Sequence, residues 1–458
     1  MDSVLLSLVQ IPPAVDALWD YLNDQDFTVL VGGSVRDLLQ GLPPHDWDFA
    51  TALPVERVQA LAEAGGYPIL PTGIAFGTVM IVVATTPTPL TVEVTTFRSD
   101  GRYVDGRHPQ SVRFTRSLKE DVKRRDFTVN ALALTREGTL VDLVGGVHDV
   151  SQQTLRAVGD AFSRFQEDPL RMWRAVRFVG YGFTPDATVT EAIQRLKALT
   201  AFVSRERIQQ ELWRLLDTPH FTNALQYADQ TGLLSLIWPE WEATRNFNQR
   251  NPHHNKPVHA HLLATAAAGP TPLFRLTGLL HDIAKPSCFV LDTKGIGHFY
   301  DHDHVGAQYA QDMLTRLRFP KQTILTITTL IDQHMFPWDD AGDATIRRMI
   351  RKYGIDMVQN LLILRQMDVM GASDHPWEYA ESVTERVRSC AQQMEERGRV
   401  CITGHEVMKW LGIGPSPRVG EVLRQCQAWV DADPTCNSPT ILKSRILEVF
   451  GSDVHELV

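Results

Sequence analysis

The stretch GGSVRDLLQGLPPHDWDFA at residues 32–50 decides how this chain is read. The apolar run from Thr28 to Val31 predicts a short buried strand, Gly32 and Gly33 a tight turn, and Ser34 to Leu39 the first turns of a helix. Such a turn presents bare backbone amides to a phosphate. After a Gly-Leu-Pro-Pro loop the chain returns to extended structure, where side chains two apart share a face, so Asp46 and Asp48 point the same way. Like charges that close need a cation. Magnesium suits them, because it takes oxygen ligands and is commonly shared with substrate phosphates. An isolated Asp-x-Asp pair is more often a solvated turn, and the glycines upstream change that balance. Between Leu90 and Phe97, Val92 and Val94 take one face of an alternating strand, and Glu93 the other with Thr95. Asp46, Asp48 and Glu93 are therefore the expected catalytic set. Metals held by three carboxylates suit activation of a 3′-hydroxyl, in-line attack at an α-phosphate and support of a pyrophosphate leaving group.

The chain has 458 residues, enough for two to four domains with real apolar cores. It shows no internal repeat and no low-complexity run. Asp2 and the Pro12-Pro13 break exclude a signal peptide or a membrane span near the start, so a cytoplasmic location is expected. Cys288, Cys390, Cys401, Cys426 and Cys436 are odd in number and lack close pairs, which argues against a disulfide framework or a zinc site. A net charge of −9 is unusual for a protein that binds nucleic acid. Its basic residues are clustered, however: Arg156, Arg164, Arg171, Arg174 and Arg177, then Arg205, Arg207 and Arg214, lie on segments that read as amphipathic helices. They form either a stripe that tracks an RNA backbone or solvated helix faces.

Three further segments accompany the opening motif: RSDGRYVDGRHPQSVRF at 98–114, RRDFTVNALAL at 124–134 and EDPLRMWRAVRF at 167–178. Together they resemble the class II CCA-adding enzymes, or tRNA nucleotidyltransferases, with the bacterial poly(A) polymerases as close relatives. In the second segment Asp126 and Asn130 are four apart and would share a helix face, with Phe127, Ala131 and Leu134 beneath. The resemblance implies that Arg125, Asp126 and Asn130 contact the sugar and phosphate of an incoming nucleotide. In the third, Asp168 and Arg171 are three apart and would project side by side from a helix opened around Pro169. An acceptor beside a donor matches the edges of cytosine and adenine and mismatches those of uracil and guanine. The resemblance gives this pair the role of a protein template, and Gly32, Gly33, Ser34 and Arg36 the triphosphate, with Arg174 and Arg177 in the nucleotide-binding set.

Between Glu93 and Arg124 stand Arg98, Arg102, Arg107, Arg113, Arg116, Lys119 and Lys123, with Gly101 and Gly106. Such a segment reads as a solvated loop or as a mobile one that closes over triphosphate or RNA. In the resembling family a flexible loop here is needed for the final A, and relatives that add only CC have it altered. Its full length in this chain favours CCA addition.

The second half carries a separate signal. His281-Asp282 sits in RLTGLLHDIAKP at 275–286, with His261 upstream and His302, His334 and Asp368 downstream. These residues are spread over apolar-rich helices and resemble the HD phosphohydrolase superfamily, whose helical fold holds one or two divalent ions. Ala284 stands where a glycine is frequent. Mixed His and Asp ligands suit manganese, iron, nickel or magnesium. His259, His298 and His304 read as hydrogen-bonded core histidines. Farther on, the segment at 402–430 resembles the C-terminal module of these transferases, with a turn at Gly412, Gly414 and Pro415 ahead of a helix from Val419. Its helix amides suit a tRNA phosphate, or the turn is a plain helix connection. Arg347, Arg348, Arg351 and Lys352 form a further basic cluster.

The expected architecture is an α+β multidomain chain. A small mixed-sheet nucleotidyltransferase head spans 1–150, an all-helical neck 151–220, an HD body 221–375 and a helical tRNA-binding tail 376–458. The expected reaction joins CTP twice and ATP once to the tRNA 3′ end, with magnesium as cofactor and no membrane partner. The alternatives are a poly(A) polymerase, a CC-only or A-only enzyme, an HD phosphohydrolase as main activity, and a noncatalytic tRNA-binding protein. Poly(A) polymerases often carry a basic C-terminal extension, whereas residues 452–458 read SDVHELV.

Overall fold

The computed structural model describes residues 11–70, 73–84, 89–101, 111–250, 256–372, 377–397 and 400–451. Arg102, Gly106 and Arg107 of the basic segment, and the end of the chain from 452, lie outside the described residues. The chain forms two compact units, one through Glu242 together with Arg316–Phe319, the other Ala243–Thr315 together with Pro320 onward.

The first unit opens with α1 (Pro13–Asn23), β1 (Thr28–Val31), α2 (Gly33–Leu39), β2 (Trp47–Thr51) and α3 (Val55–Ala64). Then come β3 (Ile69–Leu70), β4 (Thr78–Ala84), β5 (Leu90–Thr96), β6 (Arg98–Asp100), β7 (Val112–Phe114), α4 (Leu118–Lys123), β8 (Ala133–Leu134) and β9 (Leu140–Val141). One mixed sheet runs in the order β3-β4-β5-β2-β1-β8-β9. Its β2–β5 pair is parallel, and its other neighbours are antiparallel. All four residues of β1 are buried, as a strand inside a sheet covered on both faces requires. Val29, Val31, Ala50, Ala52, Phe97 and Ala133 make one apolar cluster. Trp19 of α1 packs on Phe49, with ring centroids 5.4 Å apart, and its indole N–H donates to the Thr28 carbonyl. Gly32 turns β1 into α2 at φ 73° and ψ −135°, a conformation that a side chain would strain.

The segment 124–134 departs from its expected helix. Phe127 is extended, Thr128–Asn130 make a single 3₁₀ turn, and Ala133–Leu134 are strand. Tertiary pairing overrides the local spacing. Phe127 bridges Ala157, Thr128 N–H donates to the Arg156 carbonyl, and Val158 N–H donates to the Asp126 carbonyl. The Phe127 ring is buried against Phe165 and Phe178.

The unit continues through α5 (Gly146–Ser151), β10 (Thr154–Leu155), α6 (Ala161–Glu167), α7 (Leu170–Gly180), β11 (Thr184–Pro185), α8 (Ala187–Leu196), α9 (Arg205–Leu216), α10 (Phe221–Thr231) and α11 (Leu233–Ile237). Asp160 and Asp186 cap α6 and α8 by accepting from Ser163 N–H and Val189 N–H. Trp173, Val176 and Phe178 bury the inner face of α7.

The second unit contains α12 (Val258–Ala267), α13 (Pro272–Leu280), the hairpin of β12 (Phe289–Leu291) and β13 (Gly297–Phe299), α14 (His302–Arg316), α15 (Lys321–Asp332), α16 (Asp343–Tyr353) and α17 (Ile355–Ala372). It ends with α18 (Ala380–Arg397), α19 (Gly404–Leu411), α20 (Pro417–Ala432) and α21 (Pro439–Phe450). A capping box between Thr403 and Glu406 starts α19. The basic cluster at 347–352 has a structural use. Arg347 donates to the Asp431 carbonyl and Arg351 pairs with the Asp431 carboxylate, which ties α16 to α20.

Candidate active site and metal centre

Parallel pairing of β2 with β5 sets Asp48 opposite Glu93, so the two carboxylates leave the sheet on the same face. Asp46 sits just before β2, where the Ser34 hydroxyl donates to its carbonyl at 2.8 Å and accepts from the Asp48 N–H at 3.4 Å. Among the protein's own groups, burial, then Glu93 and Asp46, push the Asp48 carboxyl up to about 7. Burial and Asp46 raise Glu93 as well. Three acids crowded in this way are the donor set of a hard divalent cation, which fits magnesium.

Asp48 and Glu93 line a polar cleft of about 320 Å³, and Asp46, just before β2, is outside its lining. Gly32, Gly33, Asp48, Glu93, Arg125, Asp126, Asn130, Arg171 and Arg174 line it, all expected from the sequence, together with Thr78, Thr95, Arg98 and Arg124. Asp126 is buried and pairs with Arg174 at 2.9 Å. Burial would raise its carboxyl, but Arg174 and Arg171 hold it below the usual range. Asn130 accepts from Arg36 at 2.6 Å through its side chain, and its carbonyl accepts from Arg125 at 3.3 Å. Thr95 is legible from the sequence as the i+2 neighbour of Glu93. The grouping of Arg98 with Arg124 is not, because it depends on how the chain returns after β5.

Several expected residues take other partners. Ser34 holds the start of β2 and does not line the cleft. Arg36 is tied to Asp37 and Asn130 and lies over the rings of Phe178 and Tyr181. Asp168 precedes α7 in extended backbone and accepts from Arg207 at 2.7 Å. Arg171 donates to Glu167 at 2.8 Å and to the Arg124 carbonyl at 3.0 Å. Asp168 and Arg171 are thus not a side-by-side helical pair: Pro169 starts the helix after Asp168 and leaves Glu167 as the partner one turn before Arg171. Arg177 faces α9, where it pairs with Glu211 at 2.7 Å. The supposed basic stripe is mostly neutralised, since Arg156, Arg164, Arg171, Arg174, Arg177, Arg207 and Arg214 each reach a carboxylate.

In the second unit all six expected ligands converge. His261, His281, Asp282 and Asp368 form one group, and Asp282, His302 and His334 a second. Asp282 joins the two. Its Oδ2 lies 3.2 Å from His261 Nε2 and 3.3 Å from His281 Nε2, while its Oδ1 lies 3.3 Å from His302 Nε2 and 3.6 Å from His334 Nε2. Asp368 Oδ1 closes the first group at 3.0 Å from His261. Three of the histidines meet a carbonyl three residues back through Nδ1: His281 that of Gly278 at 2.9 Å, His302 that of Phe299 at 2.6 Å and His334 that of Ile331 at 2.7 Å. A carbonyl only accepts, so each Nδ1 carries a hydrogen and Nε2 is the nitrogen left to meet an ion, which at His281 requires loss of the proton that Asp282 favours. Against burial, Asp282 pushes His281 up to about 10. Although burial works against their charge, Asp282 and Asp368 are held well below the ordinary carboxylate range by their histidine neighbours, with Lys285 adding to the effect at Asp282. His298 is half-buried and pairs with Asp292, and His304 is exposed and pairs with Asp332, so neither is a core residue.

Residues 28–156 match the poly A polymerase head domain family, 182–244 a probable RNA- and SrmB-binding site of polymerase A, and 260–373 the HD domain family. The fold and cleft thus define a nucleotidyltransferase head joined to helical domains. The chain is 34% identical over 411 residues to the A-adding tRNA nucleotidyltransferase of Deinococcus radiodurans, covering 86% of this chain and 89% of that protein. It is 30% identical over 404 residues to a CCA-adding enzyme of Bacillus cereus, covering 87% and 88%. A crystal structure of the Bacillus stearothermophilus CCA-adding enzyme in complex with CTP aligns with a TM-score of 0.72 at 26% identity, over 98% of this chain and 100% of that one. This chain belongs to the tRNA nucleotidyltransferase family that contains the CCA-adding and A-adding enzymes.

Proposed function

We propose that this protein adds cytidine twice and adenosine once to the 3′ end of tRNA from CTP and ATP, releasing pyrophosphate. The observation that carries the reading is the pairing of Asp48 with Glu93 beside the Gly32 turn in a polar cleft. Asp46, Asp48 and Glu93 would hold magnesium, which when bound offsets their charge and polarises the reacting oxygens. The Gly32–Gly33 turn, Arg124 and Arg125 offer amides and guanidinium groups to a triphosphate. Asp126 and Asn130 face the ribose, and Asp168 with Arg171 the base. Since Asp168 accepts from Arg207 and Arg171 donates to Glu167, base choice exchanges these partners for the base edge. Asp168→Ala should cut discrimination of CTP and ATP against UTP and GTP by on the order of 10–100-fold. Unchanged preference removes that role.

The name of the Deinococcus relative favours a narrower second reading, addition of A alone to a tRNA that already ends in CC. One assay separates the two. A tRNA ending at the discriminator base, given CTP, ATP and both in turn, gains three nucleotides with both under the first reading and none with CTP under the second. A long A tail would select poly(A) synthesis, and no extension of any tRNA would overturn the transfer reading.

The converging ligands at His261, His281, Asp282, His302, His334 and Asp368 support a further activity, hydrolysis of a phosphoester with manganese, iron, nickel or magnesium. Release of nitrophenol from nitrophenyl phosphates under each metal tests it. We place the head at 1–150, the neck at 151–220, the HD body at 221–375 and the tail at 376–458, in a cytoplasmic protein. Among the described residues no helix is long and apolar enough to cross a membrane.

A further inference from the structure

We propose that Asp121 is a positioning residue for nucleotide binding, its buried carboxylate holding the Arg124 and Arg125 guanidinium groups as a pair beside the acidic trio. This rests on the nucleotidyl-transfer reading of the cleft.

Asp121 is fully buried on α4, one turn ahead of both arginines. Its Oδ1 accepts from Arg124 Nε at 2.8 Å and lies 2.6 Å from Arg124 Nη2, and it takes the Arg98 backbone N–H at 3.4 Å. Its Oδ2 accepts from Arg125 Nε at 3.3 Å and Nη2 at 3.1 Å. Both guanidinium groups keep an outer side in the cleft, with their side chains 19% and 17% exposed. Arg125 Nη1 lies 3.5 Å from where a Cβ on Gly32 would stand, so this cation sits against the glycine turn.

Two adjacent cations repel and would spread apart. A dry carboxylate between them cancels one charge, fixes both forks and leaves a net positive pair facing the site where a triphosphate would lie. Although burial works against its charge, Arg125 and Arg124 hold the Asp121 carboxyl below the ordinary range, so it stays ionised at neutral pH. The link to Arg98 N–H also fixes the start of β6, whose Arg98 is among the residues that line the cleft.

Asp121→Asn keeps the shape but points an amide donor at a guanidinium donor. KM for CTP and ATP should rise about tenfold, with kcat within about threefold of wild type. In an Arg124→Ala/Arg125→Ala background the same change should add less than about twofold, because its partners are already gone. A merely structural loss would multiply through in both backgrounds and lower the thermal midpoint equally. Asp121→Glu keeps the charge and should give a KM between those of wild type and Asp121→Asn, and it carries the test if the Asn variant misfolds. Calorimetric binding of a non-hydrolysable CTP analogue with magnesium should weaken in step with KM. That measurement needs no tRNA, so it separates failure of the Asp121 role from failure of the tRNA reading. Unchanged KM and analogue affinity, or equal penalties in both backgrounds, would overturn the proposal.

Discussion

The two sites of this protein solve the problem of concentrated carboxylates in opposite ways. In the head, burial and the crowding of Asp46, Asp48 and Glu93 make Asp48 and Glu93 hold their protons more tightly, and the arginines of the cleft do not fully offset this. In the HD cluster, His281 and Lys285 supply positive charge next to Asp282, so its carboxylate stays ionised although wholly buried. The first arrangement depends on a cation arriving with the substrate's own charge. The second is balanced internally, so a metal entering it would compete with protons on histidine. A hard, exchangeable magnesium therefore suits the head, and a borderline transition metal suits the mixed cluster.

The largest expected effect separates the sites outright. Asp46→Ala should lower nucleotide transfer by at least about a thousandfold while leaving metal-dependent hydrolysis at the HD cluster intact. Asp282→Ala should do the reverse and also lower transition-metal uptake in a metal-binding assay, because this residue joins both ligand groups. Assaying both variants for both reactions checks the contrast, and a variant that silences both would break it.

A smaller effect concerns pH. The Asp48 carboxyl is raised in the folded protein to about 7 from an ordinary 3.8, so the folded state binds the extra proton between these values. That stabilisation is complete below the unfolded value and is lost as pH rises through about 7. With a chelator present, the thermal midpoint of Asp48→Asn should gain on wild type between about pH 4 and 8, on the order of 5 °C. Added magnesium should shrink the gap. A pH-independent gap would mean that the acids are not strained by one another.

The smallest effect lies outside both sites. Arg351→Ala removes the ion pair with Asp431 and should cost roughly 1 kcal/mol of stability in the second unit. Neither activity should change, and calorimetry alongside both assays checks this.

The residues that hold charge are largely legible in the amino-acid order. Spacing brings out Asp48 and Glu93, because a strand repeats every second residue whatever it packs against, whereas Asp46 falls in the bend just before β2. The turn at Gly32 is readable for a similar reason, as its positive φ is easy only for glycine. The six HD ligands can be named individually because their residue types are unusual on apolar helices, and their convergence follows from the family pattern.

Pairing is not legible in the same way. Spacing makes Asp126 and Asn130 neighbours on a helix, but Phe127 is pulled into a bridge with Ala157, since burying its ring against Phe165 and Phe178 outweighs one local turn. Spacing also pairs Asp168 with Arg171 and leaves a free basic stripe, whereas packing delivers Arg207 to Asp168 and a carboxylate to nearly every arginine of that stripe. The sequence by itself determined which side chains carry the chemistry and which face of each strand shows them, because local backbone geometry sets those. Only the tertiary structure decided which distant charges meet, Arg207 at Asp168 included, because partners far apart in the chain are chosen by how buried surfaces fit.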